Sequence, residues 1–468
     1  MRKRLVLIVL LHSVIYTICF AEETLSLNQN KSREWLKKAE ETDTPSIKIE
    51  YYTKAIELDA NYLLYYYRGS AFADIENLDE ALKDYNKAIE LNKEDAYIYI
   101  CRGYIFSIKG QEEDAIKDYT KAIELDPKET SVYFNRGISF GKKGYYGKAI
   151  IDLTKFIQLE PGSYEAYYNR GNAYIYNSDY DSAILDYTKV IELENTFTYA
   201  HYNRGVAYDR KGDYKRAIED YNKTIKLDPK HVMVHCYRGI IYLNEGRIFE
   251  ALEDFDKEIE IDPLNAFAYY NRANTYSDKG EYEKAIKDWS KAINLDTGLI
   301  DVYSRRGVVY ARKGEIDKAI NDFTKVIASN PKDTAAYCNR GSAFDIKGFQ
   351  DLAIEDYTKA IELDPGRSIV YYNRGIAYLN KKDYKKAVDD YTLTIDLDPK
   401  NALAYNGRGM ANKALDHKES ACDDFYQAGL LFLEQGEKLM ALQCAYQIVK
   451  INALFPQLRE FIDMIKIK

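Results

Sequence analysis

The 468-residue chain is poor in the features that mark several protein classes. Proline occurs only 9 times, and no Pro-rich or Ser/Gly-rich stretch marks a linker. A length that could hold two or three domains therefore reads as one continuous architecture. Cys19, Cys101, Cys236, Cys338, Cys422 and Cys444 include no close pair, which excludes a disulfide framework. The formal net charge is -8, and no run of Lys or Arg is long enough to follow a phosphate backbone. Nucleic acid is not an expected partner. The motifs G-x-S-x-G, G-x-G-x-x-G and H-E-x-x-H are absent. Gly141 to Lys148 has the wrong glycine spacing for a phosphate loop, and Ala149 stands where Ser or Thr would hold magnesium. The expectation is a non-catalytic protein without a cofactor.

Apolar runs are also scarce, with one exception. Arg2, Lys3 and Arg4 precede an apolar run from Leu5 to Phe20, then Ala21, Glu22 and Glu23. A charged start, an apolar middle and small residues at Cys19 and Ala21 describe a secretory signal. The run is 16 residues long and is interrupted by His12, Ser13 and Thr17, short for a bilayer that needs about 20 apolar residues. Residues 1–21 are expected to be removed as a signal peptide. The mature protein then begins near Glu22 and works in the periplasm or outside the cell, with no membrane insertion. An uncleaved signal would leave it membrane-anchored. A lipid anchor on Cys19 is disfavoured by the bulk of Ile18.

What the sequence has in abundance is tyrosine, 45 residues of it, and a beat. Arg-Gly recurs every 34 residues at Arg68, Arg102, Arg136, Arg170, Arg204, Arg238, Arg306, Arg340, Arg374 and Arg408, with Arg272-Ala273 filling the gap. Ala keeps the same step from Ala81 to Ala421, and four residues after each stands a bulky side chain such as Tyr187, Trp289 or Phe323. Each unit reads as two helices. Tyr167, Gly171 and Tyr174 lie at i, i+4 and i+7 on one face. A break follows, often at Gly (Gly110, Gly144, Gly212, Gly246, Gly280, Gly314, Gly348), and Pro127, Pro229, Pro365 and Pro399 punctuate the end of the second helix. A lone hairpin cannot cover its apolar face, so it needs neighbours on both sides.

These residues resemble the tetratricopeptide repeat family from about Tyr62 to Glu434, with Tyr replacing the family's usual Trp at the fourth position, as in Tyr133. The resemblance implies an all-α fold: a right-handed superhelical solenoid of tandem helix-turn-helix hairpins. Residues 22–61 read as an N-terminal capping segment with a degenerate half-repeat at Ser46–Asp59, one residue out of register. Residues 62–434 read as eleven repeats, and residues 435–468 as capping helices. The Arg of each unit departs from the apolar residue common in the family. Sixteen residues after it every unit carries Asp, from Asp84 to Asp424, which predicts a ladder of buried ion pairs. For Arg204 the partner is Asp220 in its own unit or Asp186 in the preceding one.

In this family the second, fifth, sixth and ninth positions tend to face the groove. The resemblance therefore implies a protein-binding scaffold or assembly factor that holds a partner segment in that groove. The sixth position is often Asn (Asn169, Asn203, Asn271), a donor and acceptor suited to pairing with an extended backbone. Such a ladder resembles the repeat domain of the O-linked N-acetylglucosamine transferases. No unit has Lys at its fifth position, so a clamp for chaperone C-termini is not expected. Units five to seven carry a second apolar stripe at Tyr199, Tyr202, Val206, Met233, Cys236, Ile240, Phe267 and Tyr270. The expected partner-binding residues are Tyr168, Asn169, Tyr199, Tyr202, Asn203, Met233, Phe267, Tyr270 and Asn271. Aromatic grooves also suit sugars, giving a carbohydrate- or polymer-binding envelope component as a second reading. A third is a metal-dependent enzyme at His201, His231 and His235, of which His231 and His235 stand at i, i+4. His201 and His235 occupy the fourth position, where the other nine units have Tyr, so they read more simply as core substitutes.

Overall fold

The computed structural model describes residues 27–467. The expected signal peptide, Cys19 and the first residues of the N-terminal segment lie outside them. Among the described residues there are twenty-six helices and no strand, so the fold is the all-α array of hairpins that the beat predicts. None of these helices is long and apolar enough to cross a membrane.

The protein divides into two compact units, residues 1–231 and 232–468. In the first, the described helices form six hairpins, from Leu27–Glu40 with Pro45–Leu58 to Thr198–Arg210 with Tyr214–Leu227. The segment read as a half-repeat is thus the second helix of a hairpin. Its partner, Leu27–Glu40, has no signature in the beat. Ala39, Tyr52, Ala55, Leu64 and Ala71 form the core they share with the next hairpin. In the second unit the hairpins run from Val234–Asn244 with Ile248–Ile261 to Ala402–Ala414 with Lys418–Glu434, followed by Lys438–Ile451 and Leu458–Ile467. Phe461 and Ile465 of that last helix pack with Phe425, Phe432 and Ile448, closing the end of the stack.

Local chemistry sets where helices start and stop. Ser163, Asn265, Asp333 and Asn401 each cap a first helix by accepting a backbone N–H. First helices end in a left-handed residue that reverses the backbone. Gly fills that place seven times between Gly110 and Gly348, with φ between 74° and 80°. Glu76, Ser178, Lys382 and Asp416 fill it elsewhere, at φ 59° to 64°. Within the hairpin, the small residue after each ladder Arg, Gly everywhere but at Ala273, permits close approach of the two helices. A Cβ on Gly205 would stand 2.7 Å from the Tyr221 ring. The recurring Ala residues opposite, such as Ala183 and Ala217, are wholly buried.

Candidate functional site

The ladder is the most regular polar feature. Arg204 donates from Nε and Nη2 to both carboxylate oxygens of Asp220, each at 2.8 Å, so its partner lies in its own unit and not at Asp186. The same two-pronged contact joins Arg170 to Asp186 and Arg374 to Asp390. A third prong goes beyond the pairing that the spacing predicts. Arg204 Nη1 donates to Thr188 of the preceding repeat at 3.0 Å, and Arg170 and Arg374 do the same to Thr154 and Thr358. Thr188 in turn donates to the Ile184 carbonyl. In the N-terminal hairpin the acceptor is Thr53, fifteen residues before Arg68 instead of sixteen, the register slip visible in the sequence. Tyr or Phe rings flank the guanidinium, as Tyr167 and Tyr174 do for Arg170. A second, exposed ladder joins neighbouring repeats through Lys109–Asp79, Lys211–Asp181, Lys313–Glu283 and Lys347–Asp317.

His201 and His235 are buried in this ladder. Their Nδ1 atoms lie 3.3 Å from Asp220 and 3.0 Å from Asp254 respectively. Burial raises the Asp254 carboxyl, but Arg238 and His235 outweigh it and hold the group below the ordinary carboxylate range. Asp186 has no imidazole beside it, and there burial prevails over Arg170 and lifts the carboxyl. His231 is not in this register; it sits where other units place a helix cap. Among the described residues no group of three or more His, Cys, Asp or Glu is arranged to hold a metal.

The expected partner-binding residues fall into two groups, one in each unit. In the first, Tyr168 meets Phe197 edge-on with ring centres 5.0 Å apart, Phe197 meets Tyr199, and His231 lies against both Tyr199 and Tyr202. Tyr199 is 56% exposed, while Tyr168 and Tyr202 are half-buried. Phe197 and His231 are members that the stripe pattern missed. Asn203 donates to the Tyr168 hydroxyl and to Asn172. The amide of Asn169 is turned back onto the Glu165 carbonyl at 2.7 Å.

In the second unit the stripe is less continuous than its spacing suggests. Cys236 is wholly buried, and burial with the nearby Glu258 and Asp254 carboxylates pushes its thiol up. Met233 is not on a helix at all. The first helix starts at Val234 and is 11 residues long against 13 in its neighbours, and Met233 precedes it at φ 76°. The cause is Glu258, buried where Ala88, Ala122 and Ala360 stand in other units. Its Oε1 accepts from the Met233 N–H at 2.6 Å and from Asn265 at 3.1 Å. Phe267 is exposed, Tyr270 donates to Asp301, and the Asn271 amide donates to the Phe267 carbonyl.

Repeated helical hairpins stacked within each unit define a helical repeat scaffold. Models described as tetratricopeptide repeat or TPR repeat match residues 69–107, 103–144, 130–163, 164–197, 198–231, 255–287, 273–314, 300–333, 334–367 and 368–401. The chain belongs to the tetratricopeptide repeat family, whose members typically bind proteins or peptides and are typically not catalysts. No curated protein matches it in sequence. Among solved structures it is similar to YrrB, described as a TPR protein with an unusual peptide-binding site (26% identity, 39% of this chain and 95% of that one, TM-score 0.38). It is also similar to MamA 41-end from Desulfovibrio magneticus RS-1 (23% identity, 36% and 95%, TM-score 0.35). A third is yeast Tom70 (18% identity, 93% and 98%, TM-score 0.34). All three scores are low, and none of these likenesses bears on what this protein binds.

Proposed function

We propose that the protein is a non-catalytic scaffold that holds a segment of another protein against its first-helix face. The observation that carries this reading is the aromatic cluster of Tyr168, Phe197, Tyr199, Tyr202 and His231. Tyr168 and Tyr202 lean on the buried core rings Tyr187 and Tyr221, and the cluster continues outward from them to Tyr199, which is more than half exposed. Aromatic anchors of this kind are where binding energy concentrates, at about 2 kcal/mol or more for a hot spot. Because the Asn203 and Asn271 side-chain nitrogens already bond within the protein, their carbonyl oxygens are the atoms left to meet a partner's backbone N–H groups. Capture from a native envelope extract tests this. The Tyr202→Ala, Tyr270→Ala double variant should keep its helicity and melting point yet lose most of the captured partner. Undiminished capture by the folded variant would move the site elsewhere.

The same reading places the protein in the periplasm or outside the cell, on the strength of Arg2–Arg4, Leu5–Phe20 and Ala21. N-terminal sequencing of the native protein should begin near Glu22. Met1 retained on a soluble protein would refute export.

A further inference from the structure

Near its end the second unit carries a helix that is apolar on two sides. Lys438–Ile451 is built like the second helices before it. A left-handed glycine, Gly436 at φ 81°, precedes it, and five residues on comes a buried alanine, Ala441, as Ala319 follows Gly314 and Ala353 follows Gly348. In that register the residues one and eight places after the alanine take up the next hairpin. Ile286 and Ile293 pack with Val302 and Val309 of the following first helix, and Ile354 and Ile361 with Val370 and Ala377. The residue five places after the alanine meets the following arginine, as Ser290 does Arg306 and Thr358 does Arg374.

In Lys438–Ile451 these three stacking places are Leu442, Tyr446 and Val449, and all three are exposed, as is Leu439 at 68%. The other side of the helix, Ala441, Cys444, Ala445 and Ile448, belongs to the core. The last helix, Leu458–Ile467, seats Phe461 and Ile465 in that same core and leaves the stripe bare. A helix apolar on both sides belongs where both sides are covered. An array whose final face is not polar still presents a stacking surface.

We propose that this stripe pairs two copies of the chain, Lys438–Ile451 lying antiparallel to its counterpart across a two-fold axis. Leu439, Leu442, Tyr446 and Val449 are spaced 3, 4 and 3 residues apart, the seam of a short coiled coil. That spacing reads the same in both directions. An antiparallel copy therefore sets Leu439 against Val449 and Leu442 against Tyr446, so every member of the stripe is covered and the contact closes on itself. The helix contains no Asp or Glu, so pairing buries no carboxylate. Lys450 keeps to the edge, 4.6 Å from the centre of the Tyr446 ring. Head-to-tail growth has no matching surface, because the exposed side chains of the first described helix, Leu27–Glu40, are polar or charged, Lys31, Arg33, Glu34 and Lys37 among them. The seam is 14 residues long, which places it at the small end of specific interfaces. The pairing is independent of the segment-binding reading, which uses the first-helix face.

Sedimentation equilibrium of the purified full-length protein tests it. The mass should rise to twice the monomer's between about 1 and 100 µM, the span expected of so small an interface. Leu442→Glu with Tyr446→Glu should stay monomeric throughout and keep the parent's helicity, since both side chains are exposed. Leu439→Glu alone, at the most exposed place, should weaken pairing about tenfold or more. The two-fold is read by mixing a Leu439→Cys protein with a Val449→Cys one. Mild oxidation should link the two to each other in preference to like with like. Peptide mapping separates that link from any through Cys101 or Cys338, which are partly exposed. A parent that is monomeric at the highest concentration overturns the pairing, and so does a dimer untouched by the double substitution. Linkage of the Leu439→Cys protein chiefly to itself overturns the antiparallel seam. A monomer that instead floats with vesicles of anionic lipid, and releases them on the double substitution, assigns the stripe to a membrane surface and overturns the pairing as well.

Discussion

Arg170→Met is the sharpest test of what holds the repeats in register. Arg170 reaches Asp186 through two bonds of 2.8 and 2.7 Å and Thr154 of the preceding repeat through a third of 3.0 Å. The side chains are 15% and 5% exposed. Methionine fills the same stem volume, so packing survives while three donated bonds vanish and Asp186 is left buried with its donors gone. Breaking one side of a buried pair costs about 3–5 kcal/mol; the residual exposure of the guanidinium puts the expected loss near the lower figure. Arg204→Met should cost less, because His201 remains 3.3 Å from Asp220. Adding Asp186→Leu to Arg170→Met should recover most of the loss, since the stranded charge is then removed. Denaturant unfolding gives the ranking. Hydrogen exchange localises it, because a repeat array loses stability around the altered hairpin. The helices Tyr164–Tyr176 and Tyr180–Leu193 should exchange faster first. An Arg170→Met variant that unfolds and exchanges like the parent would show the ladder to be energetically idle. A double variant no better than the single would show that the stranded charge was not the cost.

Four further outcomes are expected. Lys382→Gly and Glu76→Gly should each stabilise by up to about 1 kcal/mol, because both residues hold a left-handed φ that costs an L side chain more than glycine; an unchanged denaturation midpoint would argue against strain there. Gly429→Ala should unseat the terminal helix, as the new Cβ would fall 2.0 Å from the Phe461 ring, and faster exchange confined to Leu458–Ile467 and its contacts would confirm it. In carbon-detected NMR, Asp186 should titrate at higher pH than Asp254; coincident or reversed titrations would contradict the role given to His235. The sign for stability follows: the depressed Asp254 contributes stability above the ordinary carboxylate range and loses it as pH falls through its folded value, whereas the raised Asp186 loses favour as pH rises through its own.

Most of the architecture was legible because it repeats. The Arg-Gly beat, the buried Ala and the bulky residue four places on locate both helices of every unit, and seven glycines mark the turn between them. Partner choice in the ladder was not legible, since Asp186 and Asp220 recur with the same period and only the hairpin's geometry separates them. The Thr, Ser and Asn acceptors sixteen residues before most of the Arg residues (Asp256 serves Arg272) share that period, so a signal existed, but hydroxyl residues on a helix surface are ordinary. His201 and His235 were readable as core substitutes for Tyr. What one sequence cannot display is the effect of a lone deviation. Glu258 in an Ala register shortens the helix from Val234 and takes Met233 off the binding stripe, and Phe197 joins the aromatic cluster from a cap position.

The three-pronged arginine also bears on how a protein of this kind gains or loses length. Arg170, Arg204, Arg340, Arg374 and Arg408 each bond an Asp in their own hairpin and a Thr sixteen residues upstream, with Thr154, Thr188, Thr324, Thr358 and Thr392 filling that place interchangeably. An in-frame loss or gain of one 34-residue unit, as unequal recombination between similar repeats produces, therefore joins an arginine to a threonine of the kind it had before. Most junctions are exchangeable parts. The exception is the junction around Glu258, a buried carboxylate in an Ala register: copying or removing that unit would also change where the helix Val234–Asn244 begins.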